Sequence, residues 1–232
     1  MSQTNTSSPE QPRIVLETVM KLPEVTQFTE STDDFLEAQS RIQHDESHAI
    51  LVANLSREVL QKLGYPEREC ELAAIAGYLH DIGNLVNRYS HGFSGALISY
   101  KILSKLGMDP EEIAQVISAI GNHEENTGGH PVNPIAAAVI LADKSNVHRS
   151  RVRKCDQTQF TTRDRVNFAA ENSELIIDPR NRLITIRLQI NPNICSVMEY
   201  FEIYLVKMML CRRAAQYLGC QFELLINDSK LL

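Results

Sequence analysis

The chain reads as a mainly α protein: an all-helical bundle over about residues 33–155, followed at 165–232 by a small region of order β-β-α-β. Three observations predict this. Between about residues 33 and 150 apolar residues recur at helical spacing, with Gly or Pro at the joints. From about residue 165 the spacing drops to two, which is the period of a half-buried strand. Finally, 232 residues with 43% hydrophobic content can bury a sizeable core.

Taken in order, the first 12 residues are rich in Ser, Thr, Gln and Pro without apolar period, so a disordered tail is expected. Ile50, Leu51, Leu55, Val59 and Leu63 form the stripe of one helix, ended by Gly64 and Pro66. Leu72, Ile75 and Leu79 form the next and run straight into His80. Ala96 to Leu106 is a third helix, stopped by Gly107. Asp109-Pro110-Glu111-Glu112 is a start signal, with an Asp cap and Pro in the first turn; that helix carries Ile113, Val116, Ile117 and Ile120 and delivers His123. Asn133-Pro134 opens another by the same logic. Its run Ile135 to Leu141 is apolar on most sides, so it belongs in the middle of the bundle, and it ends at Asp143.

In the C-terminal region, Glu174 to Ile177 and the alternating Ile184 to Ile190 read as a hairpin turned at Asp178-Pro179-Arg180-Asn181. Ile194, Val197, Met198, Phe201, Leu205, Met208 and Met209 mark a long amphipathic helix closed by Gly219, and Phe222 to Ile226 is a third strand. About 60 residues is marginal for independent stability, so the segment is expected to pack on the bundle or on a second copy, making a homodimer.

The net charge of -6 and pI near 5.7 argue against broad binding to nucleic acid or an anionic membrane, both of which need a basic field. The longest apolar run, Ile135 to Ala142, is far short of the roughly 20 residues of a membrane helix, and a cytoplasmic location is expected. The five cysteines, Cys70, Cys155, Cys195, Cys211 and Cys220, make no CxxC pair and are expected to be reduced and buried.

The chemistry concentrates in His48, His80, Asp81, His91, His123 and Asp143. Together they resemble a metal cage: imidazole and carboxylate suit Mn, Fe, Co, Ni or Zn, and such an ion turns water into a nucleophile near neutral pH. His80 and Asp81 are adjacent at the end of an apolar helix, where Gly83 would give the chain freedom to turn. Asp143 ends a buried helix, where a lone carboxylate would cost several kcal/mol unless met by a cation or by Lys144 or Arg149. Other chemistries lack their motifs: there is no GxxxxGK loop, GxSxG elbow or HExxH pair, since Asp45 follows His44 in the spacing that ends at His48.

His48, then His80-Asp81, then Asp143, spread over a helical stretch of this size, resembles the HD superfamily of metal-dependent phosphohydrolases over roughly residues 40–150. The resemblance implies an HD-type helical bundle in which these four residues hold one divalent metal. In branches with a second metal, His91 and His123 would supply the added set, with Asp81 bridging and Asp81 thereby central to catalysis. The run from Gly121 to Pro131 is similar to the loop of HD-GYP cyclic dinucleotide phosphodiesterases, but Glu124 replaces that group's second histidine and the Gly-Tyr-Pro triplet is absent. The arrangement is also similar to HD hydrolases of dinucleoside tetraphosphates.

Directly after Asp143 comes the densest basic stretch, Lys144 to Lys154. Lys144 and Arg149, with Arg88 from the HD loop, are candidates to bind substrate phosphate and stabilise developing charge. Arg151, Arg153 and Lys154 read as a solvated helix end, His44, His130 and His148 as surface or supporting residues. The expected function is hydrolysis of a nucleotide or other small phosphate ester by a metal-activated hydroxide. The competing reading is a non-catalytic nucleotide-binding regulatory or scaffold module with a structural metal.

Overall fold

A computed structural model describes residues 13–37, 42–43, 45–153 and 157–231. The predicted N-terminal tail, His44, Lys154 and Cys155 lie outside these. The described residues form nine α-helices and one four-stranded sheet.

Two helices precede the first one predicted: α1 (Leu16–Met20) and α2 (Pro23–Glu37). Pro23 opens α2, the position where its missing N–H costs nothing. Only Val25, Thr32 and Leu36 of α2 are buried, too few for a visible period. The bundle then runs α3 (Glu46–Lys62), α4 (Glu67–Leu79), α5 (His91–Lys105), α6 (Pro110–Gly121) and α7 (Pro134–Ser145). Asp109 and Asn133 cap α6 and α7 as expected, accepting hydrogen bonds from the amides of Glu111 and Ala136. Every side chain from Ile135 to Ala142 is fully buried, and α7 is the central helix, packed on α3, α4 and α6.

The stripe predicted for α3 is rotated in the structure. Leu51 is exposed, and the buried face is Ala49, Val52, Ala53, Ser56, Val59 and Leu60. Small residues on that face let α4 approach so closely that a Cβ on Gly77 would meet Ser56 and the Val52 carbonyl at 2.9 Å. A period weighted by large apolar residues misses such a seam. The start of α5 moves likewise, to His91 instead of Ala96, because Gly92 and Gly95 dilute the pattern. A Cβ on Gly83 would collide with the His91 carbonyl and the Gly95 amide. The requirement at Gly83 is therefore close approach rather than backbone freedom.

The C-terminal region packs on the bundle through α9 against α7 and joins its hydrophobic core. It begins with α8 (Thr162–Ala169), which the period did not predict; its signal is a reciprocal cap between Thr161 and Asp164. Then follow β1 (Ala170–Asp178), β2 (Leu183–Ile190), α9 (Val197–Tyr217), β3 (Gln221–Ile226) and the two-residue β4 (Ser229–Lys230). The sheet order is β1-β2-β3-β4. β1 and β2 are the expected hairpin, β3 runs parallel to β2 because α9 carries the chain back across the sheet, and β4 folds back on β3.

α9 is also turned from the predicted stripe. Met198 and Leu205 are exposed, while Tyr200, Tyr204, Met208, Cys211, Ala214 and Ala215 are buried. Tyr204 goes inside with a partner for its polar end: the hydroxyl donates to Asn167 Oδ1 at 2.7 Å. Cys70, Cys195, Cys211 and Cys220 are buried and free. Among the described residues no helix is long and apolar enough to cross a membrane.

Candidate metal centre

The site is assembled from helix ends. His48 sits in the first turn of α3, where Asp45 caps the helix by accepting from the His48 amide. His80 closes α4 and Asp81 follows it, before a 3-10 turn over Ile82–Leu85. His91 opens α5 after Ser90, whose left-handed backbone (φ 61°) redirects the chain. His123 follows α6, and Asp143 lies in the last turn of α7. The six predicted side chains therefore converge, although they span nearly a hundred residues of chain.

Asp81 lies between two groups. Its Oδ2 faces His80 Nε2 at 3.4 Å and His48 Nε2 at 3.7 Å, and these two imidazoles also face Asp143 Oδ1 at 3.7 and 3.5 Å. Its Oδ1 faces His91 Nε2 at 3.1 Å, and His91 Nε2 lies 3.0 Å from His123 Nε2. The halves adjoin, since donor atoms of His80, Asp81 and His123 also lie within 4.8 Å of one another. Ligand atoms about 2.1 Å from one ion are about 3–3.5 Å apart, which is close to these spacings.

The imidazole hydrogen bonds test whether a metal fits. His80 Nδ1 donates to the Gly77 carbonyl at 2.7 Å, and His123 Nδ1 donates to the Ile120 carbonyl at 2.6 Å. His91 Nδ1 lies 3.0 Å from the Arg88 carbonyl and 3.1 Å from Glu124 Oε1. Acceptors at Nδ1 put the proton there, so in each neutral ring the Nε2 lone pair points into the cluster. Two such lone pairs 3.0 Å apart, at His91 and His123, are stable only with a proton or a metal cation between or beside them. Buried His80 Nε2 likewise has no hydrogen-bond partner among the described residues. The residues fit a divalent metal.

Without the metal, protons must do this work. Burial opposes charge on His80, but Asp81 and Asp143 override it and raise the group to about 10. His91 is raised too, against its burial, by Asp81 and Glu124. Burial and the neighbouring His91 hold His123 well below its ordinary value, and burial takes His48 to about 4. Metal binding would therefore displace protons.

The cluster opens into a cavity of about 970 Å³. Lys144 lies on its wall, with Nζ 2.7 Å from Asp143 Oδ2 and 3.0 Å from Glu125 Oε2. Arg88 lines it and donates to Asn84 Oδ1 at 3.0 Å, while Asn84 Nδ2 donates to Asp81 Oδ1 at 2.9 Å. Arg149 does not line it: the guanidinium turns to Glu171 at 2.8 Å and lies over the Phe168 ring. The expected phosphate contact at Arg149 thus finds no support in the cavity's lining. Arg151, expected in solvent, lines the cavity and donates to the Gln43 and Asn146 carbonyls, each at 2.9 Å. Arg153 pairs with Asp33 at 2.6 Å. His130 is exposed, and His148 binds Ser150 and the Glu171 carbonyl.

Sequence reasoning missed Asn84, Arg163 and Lys207. Asn84 lies three residues after Asp81, the reach of one 3-10 turn, and that spacing is its signal. Lys207 carries only a weak one, a lysine three residues after Tyr204 on the inner face of α9.

A helical bundle that gathers histidines and aspartates under a polar cavity is an arrangement able to hold a metal ion. Residues 46–148 match the family model of the HD domain, a match consistent with the HD superfamily of metal-dependent phosphohydrolases. A search of curated proteins found no match to this chain. HD domains bind divalent metals, and the His/Asp groups described above are able to hold one. The match stops at residue 148, so α8, the sheet and α9 lie outside it.

Proposed function

We propose that this chain hydrolyses a small phosphate ester, a nucleotide in preference to others, with one or two divalent transition metals held by His48, His80, Asp81, His91, His123 and Asp143. The observation that supports this best is the split of the Asp81 carboxylate between two imidazole-bearing groups at the base of a large polar cavity. When bound, the metal would supply Lewis acidity toward phosphoryl oxygens and a water ionised near neutral pH. The chain's own part is orientation and charge. Carbonyls of Gly77 and Ile120 fix the rings of His80 and His123, and Asn84 fixes Asp81. Lys144, kept protonated by Asp143 and Glu125 despite its burial, places positive charge where non-bridging oxygens gain negative charge.

The test is elemental analysis of the purified protein together with a metal-supplemented screen of nitrophenyl phosphate, phosphodiesters and nucleotides. Metal-dependent turnover is expected. Bound metal with no turnover on any compound would refute the enzyme and leave the scaffold reading. Two further expectations belong to the proposal. A homodimer is supported by exposed Met198, Leu205 and Val206 on α9 and is tested by sedimentation velocity. A cytoplasmic location is supported by the four free buried cysteines and is tested by cell fractionation.

A further inference from the structure

We propose that Lys207 and Arg163, outside the HD match, form an anion subsite on the C-terminal wall of the cavity that takes a second phosphoryl group of the substrate. The inference rests on the phosphohydrolase reading for the word substrate, but its geometry is independent of it.

Lys207 extends from α9 into the cavity with its side chain only 18% exposed. Its nearest recorded carboxylate is Glu125, 3.9 Å away, and the other oxygen of Glu125 is already held by Lys144 at 3.0 Å. Two sheltered ammonium groups thus share one carboxylate, with the nearer claim on it belonging to Lys144. A buried cation without its own anion is costly, and the fold could have avoided the cost with a methionine at this position. Burial and then Lys144 push the Lys207 ammonium down to about 7, as expected for a cation short of negative charge.

The group is nevertheless held in place. Lys207 Nζ lies 4.9 Å from the centre of the Tyr204 ring, and Tyr204 is anchored by its hydrogen bond to Asn167 on α8. The same short helix presents Arg163 to the cavity, and Asn167 Nδ2 donates to the Arg163 carbonyl at 2.8 Å. Thus α8 and α9 together support two cations on one wall, in a protein whose net charge is -6.

The bundle side of the cavity carries Asp81, Asp143, Glu124 and Glu125 together with Arg88, Lys144 and Arg151, and the C-terminal side carries Arg163 and Lys207 beside Asp164, whose carboxylate accepts from the Thr161 amide and hydroxyl. About 970 Å³ is ample for a drug-sized ligand and leaves room for two separated anionic groups, one reacting at the His/Asp cluster and one held by Lys207 and Arg163.

Calorimetric titration of inorganic pyrophosphate into the full chain, stripped of metal by a chelator, tests the subsite without hydrolysis. Lys207→Met is expected to weaken binding by about tenfold or more, as the loss of a charge-assisted contact would, while Lys207→Arg retains most of it. Arg163→Gln, at an exposed residue where folding is not at stake, should weaken it severalfold. In metal-loaded protein Lys207→Met should raise KM for a nucleoside diphosphate, leaving kcat and the KM of nitrophenyl phosphate nearly unchanged. Absence of pyrophosphate binding by the unaltered chain, equal binding by all variants, or equal rises in both KM values would overturn the subsite. Lys207-dependent binding without turnover on any ester would uphold it and remove the hydrolase reading; turnover with indifferent variants would do the reverse.

Discussion

Lys207→Met should make the metal-free protein more stable, the reverse of what a buried salt-bridge partner would do. Its ammonium falls from an ordinary 10.5 to about 7 in the folded chain. At about 1.36 kcal/mol per pKa unit, that gap is a native-state penalty approaching 5 kcal/mol. The side chain keeps some exposure, and its 3.9 Å contact with Glu125 is lost in the variant, so a gain of about 2–4 kcal/mol is the working figure. Urea unfolding with a slope near the upper end of the usual range, about 3 kcal/mol/M for a chain of this size, would then show a midpoint about 1 M higher. The pH dependence has a defined sign. Above about pH 10.5 the lysine is neutral in both states and the variant has no advantage; as pH falls toward about 7 the unfolded chain is protonated first and the advantage grows. Below about 7 it is constant. A variant less stable than the unaltered chain at neutral pH would refute this account and make Lys207 a structural partner of Glu125.

Other substitutions examine the centre and its supports. Asp81→Ala removes the carboxylate that faces both imidazole groups, so metal content and turnover should fall while circular dichroism keeps its helical signal; full metal and full turnover would sink the assignment. Gly83→Ala inserts a Cβ against the His91 carbonyl and the Gly95 amide and should cost about 1–3 kcal/mol, read as a lower Tm. An unchanged Tm would contradict the close approach of α5. Arg149→Ala should cost at most about 1 kcal/mol, as a surface ion pair with Glu171 does, and leave KM unaltered; a large rise in KM would restore Arg149 to the substrate.

Some of the molecule was legible residue by residue. The start signals at Asp109-Pro110 and Asn133-Pro134, the apolar run of α7 and the alternation of β2 act locally, because capping and strand period depend on near neighbours in the chain. The His/Asp set could be read because buried metal-type side chains at the ends of apolar helices are too costly to be incidental. The stripe of α3 lies at a different angle from the period because Ala and Ser bury a face by allowing close approach, which only the partner helix makes favourable, and that of α9 because Tyr204 turns inward to reach Asn167. At Gly83 the sequence suggests freedom to turn, whereas the need for glycine comes from the close approach of α5.

The sequence by itself determined a helical bundle ending in a small sheet, with six candidate ligands at helix ends, since hydrophobic period and helix punctuation are properties of short segments. Only the tertiary structure decided which arginines face the cavity, that Asp81 divides its oxygens between two imidazole groups, and that Lys207 reaches the wall beside Glu125. Those are relations between side chains far apart in sequence, set by packing and by the direction each side chain leaves its helix, which no local pattern specifies.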